Sequence, residues 1–519
     1  MTWQPEVDEL QRRLALAEQM GGADGVERQR KRGKLTVRER IALFADPGTF
    51  RQFGAFKGEA TYDDAGDLAS FTPAGQVDGT CRVNGRKVVF MAGDFTVRGG
   101  SASGERGALG QELGASERAL EWRLPFVRLL DAAGGSVRNF ETLGRTYLPD
   151  ANSFTHTDVK LLNLVPVASV VLGAAAGIGA LHTSLAHWNV MVEGTSQVFP
   201  GGPPVVKAAL GLDITKEDLG GPQIHTRKSG VVDNLATDEA DALAQCRRFL
   251  SYLPSSVFEL PPRHEPTDDP ERRDDALLGI VPRDPRKIFP ARKLIEHVVD
   301  RGTFFEIAPY YGRARITGLA LVDGHPVGIM ANNPLVLGGA TDVAAGSKAL
   351  RLVQLCDTFH LPLVDLADEP GLMVGPDSEL AGIERVGARL VCAVVDSRMP
   401  WITFVVRRLY GVGGQTHQRS SGLYRRYAWP SAQWGSMHIA GGASAAYRRE
   451  IEAADDPDAA RREIEARLNK VTSPFRTAEV TGQDMIDPRD TRPLLVEFVH
   501  DAQRILAEQL GPPPVPYRP

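Results

Sequence analysis

Apolar residues are gathered in short β-branched runs that alternate with stretches of helical periodicity. VVFMAGDF, PFVRLLD and VASVVLG have the length and composition of strands buried between helices. Segments 116–123 and 344–359 repeat their apolar residues at helical spacing, and segment 6–19 predicts an amphipathic helix. Strands that alternate with helices predict an α/β fold with right-handed crossovers.

The same pattern occurs twice along the chain. Three blocks of the first half recur in the same order in the second half: 85–103 with 324–342, 124–135 with 361–371, and 165–180 with 399–414. The first residues of the paired blocks are 239, 237 and 234 positions apart, so the offset drifts by only a few residues. Such self-similarity predicts two copies of one fold, produced by internal duplication.

A segment rich in proline and charge separates the two copies. At 519 residues the chain is too long for one hydrophobic core, and two domains of about 200–250 residues are expected. The stretch ELPPRHEPTDDPERRDD (259–275) is poor in apolar residues, as linkers are. We therefore predict an N-terminal domain over 1–262, a linker over 263–275 and a C-terminal domain over 276–519.

Composition and charge exclude several classes of protein. The net charge of -5 argues against a general nucleic-acid binder. None of the four cysteines belongs to a CxxC pair, so neither a zinc ribbon nor a disulfide framework is predicted, and we expect no metal site. The start of the chain has no signal-peptide pattern, and the apolar runs 164–181 and 389–406 are too short or too interrupted to span a bilayer. We predict a cytoplasmic protein.

Each copy contains a strand that runs into glycines, GAAAGIGA (173–180) and YGVGG (410–414). Such a turn presents backbone N–H groups with few side chains in the way, and it can hold an anion or a developing oxyanion. A single turn of this kind is more often only a tight connection, for which glycine is also the usual solution. Two of them at corresponding positions of a repeat favour a function.

Side chains near these turns offer little further chemistry. His182 and His417 follow the two turns, and either could act as a general base, although such histidines are more often structural. No GxSxG, HExxH or P-loop motif is present. Backbone donors with few reactive side chains suit a reaction that passes through an enolate.

Longer blocks carry a resemblance to a known family. They include GKLTVRERIALFADPGTF (33–50), VMVEGTSQVFPGGPPVVKAALGLDITKEDLGG (190–221) and ANNPLVLGGATDVAAGSKALRLVQLCDTFHLPLV (331–364). From about residue 30 to residue 510 the chain resembles the carboxyltransferase (β) subunits of propionyl-CoA, acetyl-CoA and methylcrotonyl-CoA carboxylases. This resemblance implies two crotonase-like domains in each chain and a homohexamer, with every active site between halves of different subunits.

The resemblance also implies roles for the two turns. Amides of Gly177 and Ile178 would hold the enolate of an acyl-CoA thioester, and those of Gly411, Val412 and Gly413 would hold the ureido oxygen of biotin. Carboxybiotin, borne by a separate carrier protein, would give CO2 to the α (or vinylogous γ) carbon of the acyl-CoA, without any metal. Since every residue except proline has an N–H, Ile178 and Val412 would narrow the pocket without abolishing either oxyanion hole.

Further residues would bind coenzyme A and choose the acyl group. Candidates for the CoA phosphates are Arg28, Arg30, Arg32, Lys34 and Arg38, which as a set could equally form a solvated basic surface. Gln415 stands where propionyl-CoA enzymes typically have Asp and acetyl-CoA enzymes have Ile. Propionyl-CoA is therefore only the default substrate, and a branched, longer or aromatic acyl group remains open.

The sequence leaves partners and direction of reaction open. It has no biotin-attachment motif of the Ala-Met-Lys-Met kind and no ATP-grasp signature, so a biotin carboxylase and a biotin carboxyl carrier subunit are the expected partners. We expect no nucleic acid partner, and a membrane partner only for a decarboxylase resembling methylmalonyl-CoA decarboxylase, which runs the transfer in reverse.

Two biotin-independent roles are also compatible with the sequence. The first is a hydratase or hydrolase, for which GAAAGIGALH lacks an evident carboxylate base. The second is a non-catalytic acyl-CoA-binding assembly subunit. Activity with biotin and an acyl-CoA would distinguish the carboxyltransferase from both.

Overall fold

The chain divides after Glu259 into two units. The computed structural model describes residues 2–100, 114–135, 140–141, 144–146, 151–284, 286–419 and 421–519. Segment 263–275 belongs to the second unit, where Arg272 donates hydrogen bonds to the carbonyls of His297 (2.8 Å) and Val299 (2.9 Å). Arg272 thus attaches this segment to the helix Ala291–Val298 and to the residue that follows it. Our limits for the two domains stay predictions.

The first unit contains a mixed sheet and a separate hairpin. Its strands are β1 (Arg51–Phe53), β2 (Gly58–Tyr62), β3 (Leu68–Pro73), β4 (Gln76–Val83), β5 (Arg86–Gly93), β6 (Phe126–Ala132), β7 (Val167–Ala176), β8 (Trp188–Val192), β9 (Gln197–Phe199) and β10 (Asn234–Ala236). The sheet order is β1-β4-β5-β6-β7-β8-β10, β9 pairs with β7, and β2 pairs with β3. From β5 onward every pair in the large sheet is parallel.

Helices cover this sheet and connect its parallel strands. They are α1 (Gln4–Glu18), α2 (Gly22–Lys31), α3 (Val37–Phe44), α4 (Ala115–Trp122), α5 (Ala151–Leu161), α6 (Ile178–Ser184), α7 (Pro203–Leu210), α8 (Lys216–Gly220), α9 (Pro222–His225) and α10 (Glu239–Ser251). A 3-10 turn covers Arg98–Gly100. Helix α3 begins with a capping box in which Thr36 and Glu39 bond each other's backbone amides.

The second unit repeats the arrangement. Its strands are β11 (Phe305–Ile307), β12 (Arg315–Val322), β13 (His325–Asn332), β14 (Leu363–Glu369), β15 (Trp401–Tyr410), β16 (Tyr424–Ala428), β17 (Gln433–Gly435) and β18 (Asp484–Met485). The order is β11-β12-β13-β14-β15-β16-β18, with β17 paired to β15. Strand for strand, this is the topology of the first large sheet.

Helices of the second unit follow the same plan and add a longer C-terminal set. They are α11 (Leu277–Ile280), α12 (Ala291–Val298), α13 (Val343–Thr358), α14 (Pro376–Ala381), α15 (Ile383–Asp396), α16 (Ile439–Ala446), α17 (Arg448–Glu452), α18 (Pro457–Asn469), α19 (Pro474–Thr481) and α20 (Thr491–Ala507). Short 3-10 helices cover Leu337–Gly339, Val412–His417 and Pro488–Asp490.

Register shows how closely the copies agree. Strands β5, β6 and β7 begin 239, 237 and 234 residues before β13, β14 and β15, the offsets found in the sequence. Pairing of β6 with β7 shifts register around Asp131, and pairing of β14 with β15 shifts around Asp368. The predicted α/β fold and the internal duplication are confirmed.

Each unit buries its own core. In the first, Trp188 stacks on Phe249 with ring centroids 5.3 Å apart, and in the second, Ile329, Ile402 and Phe498 belong to one cluster of fully buried side chains. Three of the four cysteines are buried, as expected of small core residues, but Cys392 is exposed. Within the described ranges, no helix combines the length and apolarity needed to cross a membrane.

Candidate active site

The first glycine-rich turn lies where β7 ends and α6 begins, and we call Gly177–Gly179 the first bend. All ten residues of β7 are buried, whereas Gly177 and Ile178 are exposed. Gly177 has a φ of 59° and a ψ of -118°, a conformation that residues with a Cβ rarely adopt. Its N–H donates to the carbonyl of Phe199 in β9, at 3.3 Å.

The second turn repeats this geometry, and we call Gly411–Gly413 the second bend. Strand β15 ends at Tyr410, and Gly411 has a φ of 59° and a ψ of -152°. The Gly411 N–H donates to the carbonyl of Gly435 in β17, at 3.0 Å. Because β9 and β17 are equivalent strands, both bends are fixed by the same contact.

This contact corrects the predicted oxyanion donors. Since the N–H groups of Gly177 and Gly411 are used within the fold, they are not available to a ligand. The next two amides of each bend have no hydrogen-bond acceptor in the part of the chain that the structure describes; they are Ile178 and Gly179 in the first bend, and Val412 and Gly413 in the second. Free amides are expected there, because the first N–H groups of a helix have no partner within it.

The sequence pointed to Gly177 and missed Gly179 because it does not reveal the acceptor. Strands β9 and β17 have only three residues each, and their pairing with β7 and β15 depends on register.

The branched side chains of the two bends point outward, since Ile178 is 46% exposed and Val412 is 67% exposed. The two side chains add apolar surface around the amide pairs. Neither side chain folds over the amides of its own bend.

The two histidines after the bends are structural. The carbonyl of His182 accepts a hydrogen bond from Ser169 Oγ at 2.8 Å, and that of His417 accepts one from Thr403 Oγ1 at 2.7 Å. Ser169 and Thr403 are equivalent residues of β7 and β15. Because both histidines are also buried with their ring nitrogens against carboxylates, neither is a general base open to substrate.

Below the second bend, His417 belongs to a fully buried charge network. Its Nδ1 lies 2.8 Å from Asp365 Oδ2, and its Nε2 lies 3.2 Å from Glu369 Oε2. Arg315 donates to the same Glu369 oxygen at 2.8 Å. Burial alone would lower the pKa of His417, but the Asp365 carboxylate and the hydrogen bonds to both carboxylates raise it. The pKa of Glu369 is about 2, since His417 and Arg315 outweigh the opposing effect of burial.

Below the first bend the equivalent network is smaller. His182 Nε2 lies 3.0 Å from Asp158 Oδ2, and Asp158 also pairs with the buried Arg128 at 2.8 Å. Burial lowers the pKa of His182, and the hydrogen bond to Asp158 opposes that shift. The two bends thus share a backbone geometry, but the buried charged side chains beneath them differ.

Residues 28–504 match the family model described as the carboxyl transferase domain. This match spans both units and includes both bends. The chain belongs to the carboxyl transferase family.

Relatives and solved structures agree with this carboxyltransferase assignment. The chain is 36% identical to the carboxyltransferase subunit of propionyl-CoA carboxylase from Haloferax mediterranei, over 96% of each chain. It is 32% identical to methylmalonyl-CoA decarboxylase subunit alpha from Veillonella parvula, over 95% of each. The crystal structure of the transcarboxylase 12S hexamer with methylmalonyl-coenzyme A and methylmalonic acid bound has a TM-score of 0.85, with 33% identity, over 97% of this chain and 96% of that one. The predicted family, the two crotonase-like domains and the enzyme class are confirmed.

The basic segment of this carboxyltransferase is divided between surface and interior. Arg28 and Arg32 are exposed, and Arg30 pairs with Glu39, so these three remain at the surface. Lys34 corrects our prediction, because its side chain is only 7% exposed and bonds Asp131 at 2.7 Å. Its ammonium group is therefore occupied and cannot reach a CoA phosphate.

Asp131 collects several partners at the end of β6. Besides Lys34, Arg40 bonds Asp131 at 2.9 Å, and Gln29 donates a hydrogen bond to Asp131 at 3.2 Å. Arg40 also bonds Glu239 at 2.7 Å. We call this group the Asp131 cluster. An aspartate inside the apolar run FVRLLDA is the one signal in the sequence that could have indicated a buried cation partner.

Arg38 is half-buried and donates a hydrogen bond to Gln52 at 2.8 Å. Arg28 and Arg32 are therefore the candidates for the CoA phosphates that stay more exposed.

Gln415 is exposed on the 3-10 helix of the second bend, where it lines a cavity of about 260 Å³. Its Oε1 accepts a hydrogen bond from Gln418 at 2.8 Å. Among the described residues, His, Cys, Asp and Glu form no group of three or more that could hold a metal ion. What each bend offers to chemistry is a pair of unbonded amides beside an exposed apolar side chain.

Proposed function

We propose that this carboxyltransferase moves a carboxyl group between biotin and the α (or vinylogous γ) carbon of an acyl-CoA. The amides of Ile178 and Gly179 would bind the thioester oxygen as it gains charge in the enolate. Those of Val412 and Gly413 would bind the ureido oxygen of biotin. One observation carries the proposal: both bends leave the same two amides unbonded after using the first glycine's N–H within the fold.

Such amides act by position and do not change their own protonation. A donor fixed before the reaction stabilises developing negative charge without the reorganisation that water requires, and one donor is worth about 3 kcal/mol. Biotin, when bound, supplies the carboxyl group and a ring nitrogen for the α proton. The outward-facing Ile178 and Val412 would exclude water at the rim of each oxyanion hole.

Other parts of the predicted complex belong to the same proposal. We infer a homohexamer, a separate biotin carrier and a biotin carboxylase as partners, since the relatives include a carboxyltransferase subunit and a hexameric transcarboxylase. Arg28 and Arg32 would meet the CoA phosphates. Propionyl-CoA stays the default substrate, and the cytoplasmic location stays a prediction from the sequence.

The reverse reaction is the second candidate. It is favoured by the decarboxylase subunit among the relatives, which matches at nearly the same coverage as the carboxylase subunit. Carboxyl transfer is reversible, so the same amide pairs would serve both directions. A non-catalytic assembly role is less well supported, because such a role gives no reason for unbonded amides at two equivalent positions.

Replacing one amide tests the proposal directly. Ile178→Pro removes an N–H at the first position of α6, where proline is tolerated, and we expect kcat to fall by roughly 10²–10³. The matched control Ile178→Ala trims the side chain and keeps the N–H, so it should retain most activity. Val412→Pro and Val412→Ala form the corresponding pair at the second bend.

The assay would follow biotin-dependent loss of carboxylate from a panel of carboxylated acyl-CoAs, with thermal melting to show that each variant folds. If folded Ile178→Pro and Val412→Pro proteins keep wild-type rates, the amides do not take part. Wild-type protein that binds acyl-CoA but transfers no carboxyl group from any member of the panel would support the assembly role instead.

A further inference from the structure

A cavity of about 260 Å³ lies beside the second bend, and the residues that line it belong to the second unit. Val405, Leu409 and Trp434 give it an apolar wall. Gly411 and Gly414 also line it, and these two glycines flank the unbonded amides of the bend. Sites that enclose a whole small ligand have volumes of roughly 300–1,000 Å³, so this cavity suits a small ring with one substituent.

Arg426 brings a positive charge to this cavity. Side chains alternate along β16, so its neighbours Arg425 and Tyr427 lie on the opposite face of the sheet. There Tyr427 packs against the core, and Arg425 pairs with Glu497 at 2.9 Å and Asp501 at 2.7 Å. Arg426 itself is half-buried and pairs with no carboxylate within the described ranges.

The polar neighbours of Arg426 are neutral. Its Nε donates to Gln483 Oε1 at 2.6 Å, and its Nη1 donates to Gln418 Oε1 at 2.9 Å. Burial raises the pKa of Tyr424, which lies on the same face of β16, so its hydroxyl is uncharged at pH 7. These groups orient the guanidinium without cancelling its charge. Because a half-buried cation has lost part of its hydration, an anion that entered the cavity would be stabilised.

Hydrogen bonds connect Arg426 to the helix that carries the free amides. Because arginine has only donors, Gln418 presents its oxygen to Arg426, and its Nε2 donates to Gln415 Oε1 at 2.8 Å. Gln415 belongs to the 3-10 helix Val412–His417, whose first two amides are unbonded. The bend therefore combines donors for a neutral carbonyl oxygen with a cation whose position is fixed relative to them.

This combination fits carboxybiotin better than biotin. The ureido ring of biotin is uncharged, whereas carboxybiotin has a carboxylate on the ring nitrogen next to the ureido carbon. If the ureido oxygen lies on the amides of Val412 and Gly413, the carboxylate must lie beside the bend as well. We propose that Arg426 binds the carboxylate of carboxybiotin and makes the second unit prefer the carboxylated form of the cofactor. This inference rests on the proposed function and adds to it a residue that recognises the transferred group.

Such a preference would favour exchange of the cofactor after transfer. A guanidinium binds a carboxylate through charge-assisted hydrogen bonds. Once the carboxyl group has left, the neutral ring keeps its hydrogen bonds to Val412 and Gly413 but no longer has an ion pair with Arg426. Uncarboxylated biotin therefore dissociates more readily than the form that arrives.

The methyl esters of biotin and carboxybiotin test this, because they differ only in the carboxyl group on the ureido ring. Stopped-flow quenching of tryptophan fluorescence measures their binding to the full-length protein before CO2 is lost, with Trp434 in the cavity wall as a reporter. The wild type should bind the carboxybiotin ester roughly tenfold more tightly. Arg426→Met should remove most of this preference and change the Kd of biotin methyl ester by less than about twofold. Arg425→Met is the matched control: it removes a charge from the opposite face of the same strand and should keep the preference.

Equal affinities of the wild type for the two esters, or an unchanged preference in folded Arg426→Met protein, would overturn the inference. Thermal melting shows whether each variant folds. If Arg426→Met does not fold, Arg426→Lys replaces it; the charge remains but the planar fork is lost, so the preference should fall severalfold.

Carboxyl transfer to acyl-CoA is assayed separately on the same proteins. A preference that depends on Arg426, without turnover of any acyl-CoA, would retain the binding site and remove the proposed function. Turnover by wild-type protein that does not distinguish the two esters would overturn this inference and leave the proposed function in place.

Discussion

At the scale of single residues, the deciding feature is which backbone N–H of each bend forms a hydrogen bond within the protein. Gly177 and Gly411 take the strained conformation and give their N–H groups to Phe199 and Gly435. Each therefore acts as a positioning residue, and its successors carry the free donors. Glycine is needed for the conformation, whereas the donors themselves do not depend on a particular side chain.

Glu369 gives the clearest prediction of pH dependence. Its pKa is about 2 against an ordinary 4.5, so its ionised form contributes stability that is present above pH 4.5 and lost as the pH falls toward 2. Glu369→Gln should reduce the free energy of unfolding at pH 7 by an amount on the order of 3 kcal/mol. Urea denaturation across this pH range measures both effects.

Between pH 4.5 and 2, the free energy of unfolding of the Glu369→Gln protein should also fall less steeply than that of the wild type. Glu306→Gln is the control, because Glu306 pairs with an Arg292 side chain that is 40% exposed. Its loss should stay below about 1 kcal/mol. An acid profile of Glu369→Gln that parallels wild type would contradict the role assigned to the buried network.

At the scale of elements, a hydroxyl on each of β7 and β15 bonds the helical segment that follows the bend. Thr403→Val removes the hydrogen bond to the His417 carbonyl, and Ser169→Ala removes the one to the His182 carbonyl. Thr403→Val should cost about 1–2 kcal/mol of stability, because the buried His417 carbonyl loses this donor. Ser169→Ala should cost about 1 kcal/mol, because the His182 carbonyl still accepts a 3.5 Å hydrogen bond from Arg128. Under the proposed function, Thr403→Val should raise KM for biotin, and Ser169→Ala should raise KM for acyl-CoA.

A control for this pair lies in α13. Thr358 Oγ1 donates to the carbonyl of Gln354 within the same helix, so Thr358→Val should leave both KM values near wild type. Urea unfolding and steady-state kinetics on the three variants separate stability from positioning. Equal changes of both KM values in every variant would mean that the hydroxyls support the fold alone.

Elements were the easiest part to predict from sequence. Segments 116–123 and 344–359 differ by one residue from Ala115–Trp122 and Val343–Thr358, because apolar periodicity directly reports the buried face. The partner of Gly177 could not be found in the same way, since β9 lies in a later part of the chain and has only three residues. Lys34 was misplaced because a basic run by itself does not reveal a buried aspartate elsewhere in the chain.

At the scale of the whole molecule, duplication was visible in the sequence because three blocks kept their order and nearly their spacing. Assembly is a separate matter, and the proposed homohexamer gives its own prediction. Six chains of 56.3 kDa should give a native mass of about 340 kDa by light scattering. A monomer or dimer that turns over acyl-CoA at full rate would contradict the proposed assembly.

The Asp131 cluster bears on how the protein can be shortened. Gln29, Lys34 and Arg40 come from the first tenth of the chain, yet all three bond carboxylates on β6 and α10, and Lys34 and Arg40 supply the neutralising charge. A version that starts after residue 40 would leave Asp131 and Glu239 buried without cations, and breaking such pairs costs about 3–5 kcal/mol. Fusion tags and truncations should therefore leave this amino-terminal segment in place, because its lysines and arginines stabilise the interior of the first unit and do not form a dispensable basic tail.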